Sequence, residues 1–244
     1  MSRSYECIVV EPHDELVFIK LIREDGSRNY LNKIFLSEIA DALVTVPKEY
    51  NPKVIILTGG GKVFSLGADL AEVKTLAAND AVLYSKIGQG IIKRIRELEA
   101  VVVAAVNGMA LGGGFEIVLA CDIIWAHTRA VFAFPECLRG LLSAWGGTRL
   151  AVQRIPSSLA AEMLMTGMYL GSENANRHGI VSKIYEGKEF HNQVLKEALR
   201  LTVVNRDILL HVKKLLNATL SFEEGLDRES IAFAEIVSKN IASI

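Results

Sequence analysis

The stretch AAVNGMALGGGFEIVLACDI, residues 104–123, runs from an apolar strand pattern through a turn of small residues into a helix pattern. Three consecutive glycines, Gly112 to Gly114, mark the turn. Glycine lets a chain turn sharply and pack closely against its neighbours. Bare backbone N–H groups at the start of a helix can instead bind an oxyanion. For this single junction both interpretations stay open.

A second junction of the same kind precedes it in VIILTGGGKVFSLGADLAEV, residues 54–73, with its turn at 65–69. Two such junctions make a pair of converging N–H donors possible, which is what an enolate or a tetrahedral oxyanion requires. Asp69 begins the following helix pattern, a position that is more typical of a capping acid than of a catalyst.

Familiar phosphate-binding motifs fail at both junctions. The run GGGK, residues 59–62, lacks the earlier glycine of a P-loop because Ile56 stands there, and Val63 follows the lysine. At the other junction Ile117 occupies the last glycine position of a GxGxxG motif. Nucleotide hydrolysis and dinucleotide binding are therefore disfavoured. Ser143 lies outside any GxSxG nucleophile elbow.

Two glutamates stand beside these glycine-rich turns. Glu116 lies in the apolar run FEIVLAC, and Glu136 follows Pro135 after the apolar run VFAF. Taken singly, Glu116 could complement a helix dipole and Glu136 could be a solvated loop acid. As a pair next to backbone donors they suggest acid–base chemistry, because burial raises the pKa of a carboxyl group toward neutrality.

The composition is that of a globular protein with a sizeable core. Half of the 244 residues are hydrophobic and 23% are charged, which excludes a disordered or fibrous chain. The 27 Lys and Arg nearly balance the 28 Asp and Glu, which disfavours binding to nucleic acid or to an anionic membrane surface. Thirteen of the 19 glycines lie between residues 59 and 147.

Compartment signals favour the cytoplasm. The three cysteines (Cys7, Cys121 and Cys137) are too few for a disulfide framework, and the first residues resemble neither a signal nor a transit peptide. The longest apolar stretch, residues 100–121, is interrupted by Asn107 and by glycines, so no membrane span is predicted. The histidines show no metal-ligand spacing.

Short runs rich in Val and Ile alternate with helical patterns up to about residue 187, which predicts an α/β fold. The strand-like runs are CIVVE (7–11), LVFIKLI (16–22), VIILTG (54–59), VVVAAV (101–106), CDIIWA (121–126), VFAF (131–134) and IVSKIY (180–185). From about residue 187 onward only helical patterns follow. We therefore expect an α/β core at 1–187 and a helical region at 188–244 that packs on its own core or on a neighbouring subunit.

Helical spacing of apolar residues predicts the helix positions. One helix is expected at 32–46, and another at 79–99 with Asn79 as N-cap and with apolar residues at the helical spacing of an amphipathic helix, namely Val82, Leu83, Ile87, Ile91, Ile95 and Leu98. Three more are expected at 189–204, 205–219 and 222–238. Ser221 and Glu224 form a capping-box pattern before the last helix.

Together these segments resemble the enoyl-CoA hydratase/isomerase (crotonase) superfamily over most of the chain. The stretch 104–123 is similar to the central signature of that family, and FSLGADL (64–70) is similar to its FxAGADL segment. FAFPECLRGLLSAWGGTRL (132–150) and MLMTGMYLGSENANRHGIVSKI (163–184) are similar to two further family segments.

The resemblance implies a crotonase-like spiral of ββα units with a helical C-terminal oligomerisation region, as a homotrimer or a dimer of trimers. It implies hydration of a 2-enoyl-CoA thioester to a 3-hydroxyacyl-CoA through an enolate. Coenzyme A would be part of the substrate, with no separate cofactor and no metal. The implied catalytic groups are the side chains of Glu116 and Glu136 and the backbone N–H groups of Ala68 and Gly113. The implied CoA contacts are Arg28, Ser65, Leu66, Gly67, Ala68 and Gly112.

Several positions depart from the family pattern. Leu66 replaces a usual alanine, Ser143 replaces a usual proline, and Met109 and Phe115 are substitutions expected near the acyl pocket. Family members typically continue with a further helix beyond the position of Ile244. A shorter end would weaken closure over CoA and would leave room for a carrier-bound acyl group.

Two rival functions stay open. An isomerase, a decarboxylase or another enolate enzyme could use the same scaffold, although isomerases of the superfamily commonly keep only the second glutamate. A member that binds an acyl thioester without turnover is the other rival, and the presence of both Glu116 and Glu136 argues against it.

Overall fold

A computed structural model of the chain describes residues 5–23 and 28–240, with side chains through Lys239. Eleven strands are present in this part of the chain. They are β1 (Ile8–His13), β2 (Leu16–Leu21), β3 (Tyr30–Leu31), β4 (Val54–Gly59), β5 (Gly67–Ala68), β6 (Val101–Val106), β7 (Met109–Leu111), β8 (Ile123–His127), β9 (Val131–Ala133), β10 (Leu170–Gly171) and β11 (Lys183–Tyr185).

Six of these strands form the main sheet in the order β1-β2-β4-β6-β8-β11. Only the β1–β2 hairpin is antiparallel, and the other pairs are parallel. Every residue of β4 and β6 is buried, as the unbroken apolar runs predict for central strands covered on both faces. The segments that follow β4 and β6 are the two glycine-rich junctions, so the sheet brings them side by side.

Two small sheets hold these junctions in place. Strand β5 pairs with β3, and β7 pairs with β9, which also pairs with β10. A parallel bridge joins Ser65 to Ala110, and the Leu111 N–H donates to the Ser65 carbonyl over 2.9 Å. The turn after β4 therefore runs directly alongside the turn after β6.

Ten helices connect and cover the sheets within the described residues. They are α1 (Lys33–Tyr50), α2 (Leu70–Val73), α3 (Ala78–Glu97), α4 (Gly113–Ala120), α5 (Gly147–Arg154), α6 (Ser157–Thr166), α7 (Ser172–Arg177), α8 (Phe190–Thr202), α9 (Arg206–Asn217) and α10 (Phe222–Asn240). A 3₁₀ helix spans Pro135–Arg139. Asn32 caps α1, and Asp69 caps α2 by accepting a hydrogen bond from the Ala71 N–H, as predicted for a capping acid.

Helix α3 differs from the sequence prediction in two ways. Its N-cap is Ala77, not Asn79, and the cap makes no side-chain hydrogen bond. Val82, Leu83 and Ile87 are exposed by 43–61%, so the predicted buried stripe exists only in the second half of the helix. Helix α1 also continues beyond its predicted end at residue 46, through Pro47 to Tyr50.

The C-terminal helical pattern is confirmed. Helix α8 packs Phe190, Val194 and Ala198 against the face of the main sheet that carries buried residues of β2, β4 and β6. Ser221 and Glu224 exchange the reciprocal hydrogen bonds of a capping box at the start of α10. The division into a core at 1–187 and a separate region at 188–244 stays a prediction.

None of the helices within the described residues combines the length and the apolar character that crossing a bilayer requires.

Candidate active site

A cavity of about 460 Å³ opens where the two glycine-rich junctions meet. Seven of the residues expected in the site line it, and they come from both junctions and from the 3₁₀ helix. These residues are Leu66, Gly67, Ala68, Gly112, Gly113, Glu116 and Glu136. The structure therefore brings together residues that lie up to 70 positions apart in the sequence.

The two residues that carry the predicted backbone donors, Ala68 and Gly113, both line the cavity. Gly113 is the first residue of α4, so its N–H has no partner within that helix. In the turn after β4, the Leu66 N–H donates to the Arg28 carbonyl and the Asp69 N–H donates to the Leu31 carbonyl. Both of these carbonyls lie on the side of β3. Leu66 and Asp69 are three residues apart, whereas a regular strand directs every second N–H to the same side. Gly67, with φ of 84°, makes this shift and leaves the Ala68 N–H directed away from β3.

Glycine is required at two of these positions by backbone and by space. Gly112 has φ of 51° and ψ of −125°, a region that side chains rarely allow. A Cβ there would lie 2.8 Å from Glu136 Oε1. A Cβ on Gly67 would lie 2.7 Å from the Leu111 carbonyl oxygen and 3.2 Å from the Gly113 nitrogen. Close packing and oxyanion binding, the two interpretations of the glycines, are thus compatible. The close packing of Gly67 and Gly112 keeps the two turns near each other at the cavity.

Glu116 is 1% exposed and its carboxyl is held by backbone alone. Oε1 accepts hydrogen bonds from the N–H groups of Trp145 (2.9 Å) and Gly147 (2.6 Å). Burial raises the pKa of Glu116 to about 7, the Gly147 and Trp145 hydrogen bonds oppose this rise, and the nearby charge of Glu136 adds to it. Near neutral pH this carboxyl can therefore both hold and release a proton.

Glu136 stands on the 3₁₀ helix at the opposite wall. Burial raises its pKa above the ordinary range, while its own backbone N–H, Ser143 and Arg139 favour the charged form. The Ser143 hydroxyl lies close enough to exert this effect but makes no well-formed hydrogen bond within the described residues. Glu136 Oε2 is likewise buried without a partner among them. A polar ligand in the cavity would supply what this oxygen lacks.

Two predicted CoA contacts lie elsewhere. Ser65 is fully buried, and its hydroxyl donates to the Asn29 carbonyl and accepts from the Gly67 N–H. Its side chain supports the turn and does not line the cavity. Arg28 is exposed outside the lining, and its carbonyl accepts from the Leu66 N–H, so it is tied to the cavity wall only through its backbone.

The two substitutions expected near an acyl pocket also do not line the cavity. Phe115 is fully buried and packs against Phe132 and Phe134. Met109 is 44% exposed on β7.

Residues that the sequence analysis missed complete the walls. Tyr84, Leu141 and Leu142 line the cavity, and so does Trp145. The signal that could have identified it is its place directly before Gly146-Gly147, where the backbone turns toward Glu116.

A second, larger cavity of about 660 Å³ lies near the starts of β6 and β8, lined by Arg96, Arg154 and Lys213 among others. No residue of the predicted site lines it. The smaller cavity is therefore the candidate active site, because Glu116 and Glu136 line it together with Ala68 and Gly113. Within the described residues, no group of three or more His, Cys, Asp and Glu side chains could hold a metal ion.

Comparison with known proteins agrees with this geometry. The family model for enoyl-CoA hydratase/isomerase matches residues 12–241. This chain belongs to the enoyl-CoA hydratase/isomerase family. It is 35% identical over 199 residues to a crotonyl-CoA hydratase of Syntrophomonas wolfei, with 81% of this chain and 76% of that protein covered.

Two further members of the enoyl-CoA hydratase/isomerase family extend the comparison. The chain is 31% identical over 241 residues to a mitochondrial enoyl-CoA hydratase of Pongo abelii, covering 97% of this chain and 82% of that protein. A crystal structure of an enoyl-CoA hydratase from Thermoplasma volcanium superposes with a TM-score of 0.90 at 26% identity, covering 96% and 93% of the two chains. The predicted crotonase-like α/β fold with a helical C-terminal region is thus confirmed.

Proposed function

We propose that this protein hydrates a 2-enoyl-CoA thioester to the 3-hydroxyacyl-CoA. The observation that carries the proposal is that Glu116 and Glu136 line one cavity together with the backbone donors of Ala68 and Gly113. Relatives at 31–35% identity that are named crotonyl-CoA hydratase and enoyl-CoA hydratase support it.

The backbone donors account for activation of the thioester. Adding water to C3 places negative charge on the thioester oxygen as an enolate forms. The N–H groups of Ala68 and Gly113 would receive that oxygen, and the start of α4 adds its partial positive charge. Such donors need no rearrangement during the reaction, and loss of one typically costs about 10²–10³ in rate.

The glutamates account for the two proton transfers. One glutamate, as the carboxylate, takes a proton from water while the water oxygen bonds to C3. The other glutamate, as the carboxylic acid, gives a proton to C2. Because two neighbouring buried carboxyls are costly to ionise together, the cavity favours a state with one proton shared between them. That state supplies a base and an acid at the same time.

We further propose that Leu66, Gly67, Ala68 and Gly112 contact the CoA arm as it enters the cavity, with Arg28 near its phosphates. The protein would act in the cytoplasm as a homotrimer or a dimer of trimers, without a cofactor other than the CoA of its substrate. The exposed apolar residues of α10 support assembly with further copies.

A panel of thioesters assayed by mass tests the proposal. We expect 2-enoyl-CoA to gain one water, and E116Q and E136Q each to lower this rate by about 10²–10⁴-fold. E99Q, which changes an exposed glutamate outside the cavity, serves as the matched control and should leave the rate unchanged. Hydration of no member of the panel would overturn the proposal, and double-bond migration alone would favour an isomerase.

A further inference from the structure

Trp145 occupies space that two glycines leave open. Its indole is 3% exposed. A Cβ on Gly88 of α3 would lie 2.1 Å from its Cγ, and a Cβ on Gly113 would lie 2.2 Å from its Cζ3. The ring is therefore wedged between α3 and the first residue of α4, and neither side can give way to a larger side chain.

Helix α3 fixes the position of this ring. Ser85 Oγ and Gln89 Nε2 both donate to the Ala144 carbonyl, over 2.6 and 3.0 Å. Tyr84, four residues before Gly88 on the same helix face, packs its ring against the indole with centroids 5.7 Å apart. Tyr84 and Trp145 thus form one continuous aromatic wall of the cavity.

This wall stands directly beside the reacting atoms. The indole contacts the Cα side of Gly113, whose N–H is the proposed oxyanion donor, and the Trp145 N–H holds the Glu116 carboxyl. An acyl chain whose carbonyl is held at Gly113 and whose double bond faces Glu116 must continue toward the two rings. Burial of each further methylene normally favours binding, but here the space is already filled by the indole.

We propose that Trp145, wedged against Gly88 and backed by Tyr84, closes the acyl end of the cavity and restricts the substrate to short-chain thioesters. The chain-length limit rests on the proposed hydration of 2-enoyl-CoA, whereas the closed wall itself can be tested by binding. Trp145 acts here as a specificity-determining residue, because its side chain bounds the acyl group and takes no part in proton transfer.

Calorimetry with saturated acyl-CoA tests the wall independently of catalysis. Butyryl-CoA and decanoyl-CoA cannot be hydrated, so their affinities report only on space. We expect the wild type to bind butyryl-CoA at least as tightly as decanoyl-CoA. W145A should shift the ratio of the two affinities toward decanoyl-CoA by at least about tenfold. An unchanged ratio in W145A would overturn the inference even if the protein hydrates enoyl-CoA.

Hydration kinetics supply the second readout. The ratio of kcat/KM for crotonyl-CoA over 2-decenoyl-CoA should exceed about ten in the wild type and fall by at least about tenfold in W145A. A wild type that hydrates 2-decenoyl-CoA at least as well as crotonyl-CoA would contradict the wall. A wild type that hydrates neither thioester would contradict the proposed function, and the calorimetric result would still decide the inference.

Matched variants separate the wall from general stability. W145F keeps an aromatic ring and provides an intermediate step if W145A folds poorly. W125F makes the same substitution at the second tryptophan of the sequence. Trp125 is as buried as Trp145 but packs near Tyr185 and Phe190, outside the candidate active site. We expect W145F to shift the chain-length ratio and W125F to leave it unchanged. Equal shifts in both variants would show that the ratio follows stability and not the wall.

Discussion

At the scale of single residues, Glu116 shows how burial and hydrogen bonding compete. Two backbone N–H groups favour its charged form, yet burial outweighs them and raises its pKa to about 7 from 4.5. Both hydrogen bonds go to Oε1. The carboxyl is therefore oriented through Oε1 and can hold or release a proton near neutral pH, which proton transfer requires.

A pH dependence of stability follows from this raised pKa. Between pH 4.5 and about 7 the folded protein binds a proton on Glu116 that the unfolded chain has released. The free energy of unfolding therefore falls by on the order of 3 kcal/mol as pH rises through this window. Above the window it no longer changes with the protonation of Glu116. E116Q, whose amide can accept the same two hydrogen bonds, should lose most of this fall. Urea unfolding at pH 5 and pH 8 measures it, and parallel pH curves for wild type and E116Q would refute the prediction.

Single residues also mark the limit of what sequence could predict about the site. Glu116 and Glu136 were identified because charge is rare in their apolar surroundings. Ser65 was predicted to contact CoA, but its hydroxyl already hydrogen-bonds to the Asn29 carbonyl and the Gly67 N–H. Trp145 was overlooked, because its role depends on Gly88, which lies 57 positions earlier in the sequence. Local patterns report chemistry, whereas contacts across such distances appear only in the fold.

At the scale of elements, seven of the eleven described strands were predicted, whereas the short strands β3, β5, β7 and β10 were not, and the α3 stripe was predicted only in part. Central strands are buried on both faces, so an unbroken apolar run is their direct sign. The first half of α3 instead presents Val82, Leu83 and Ile87 to solvent while Tyr84 and Gly88 face the cavity and its aromatic wall. Periodicity locates a helix but does not say which of its faces is covered. The short helices α5 to α7 carry too few turns to show a period.

Helix α9 is fastened to the core by one buried cation. Lys213 Nζ donates to the Ile95 and Ala100 carbonyls and pairs with Asp122 Oδ2, over 2.8–2.9 Å. K213M would leave the half-buried Asp122 without its cation and with hydrogen bonds from Val102 and Asn217 only, so we expect a loss of about 3 kcal/mol of unfolding free energy. K214M, which changes the exposed neighbour on the same helix, should cost less than about 0.5 kcal/mol.

Urea unfolding of the two variants at one pH measures this difference. The double variant K213M/D122N should regain part of the loss, because it removes the unpaired charge. Equal midpoints for K213M and K214M would mean that the ion pair adds nothing beyond the surrounding apolar contacts.

At the scale of the whole molecule, α10 leaves a row of apolar side chains exposed. Phe222, Leu226 and Phe233 recur at helical spacing along one face, and Phe222 and Phe233 are 81% and 70% exposed. Contiguous exposed apolar surface of this kind marks an interface. Helix α10 meets α9 through its half-buried residues Ala232, Ile236 and Val237 and through two exposed ion pairs, Glu235 with His211 and Lys239 with Asp207. The face with Phe222 and Phe233 is left uncovered within the described part of the chain.

Sedimentation of charge variants on this face tests the proposed homotrimer or dimer of trimers. F222E/F233E places two carboxylates where the partner surface must exclude water, and an unpaired charge at such an interface is costly. We therefore expect the wild type to sediment as a trimer or hexamer and the double variant to shift toward the monomer, with its helix content by circular dichroism unchanged. E229Q, an exposed polar change on the same helix, should keep the wild-type assembly. A wild type that sediments as a monomer would contradict the assembly, and an unshifted double variant would place the interface on another face.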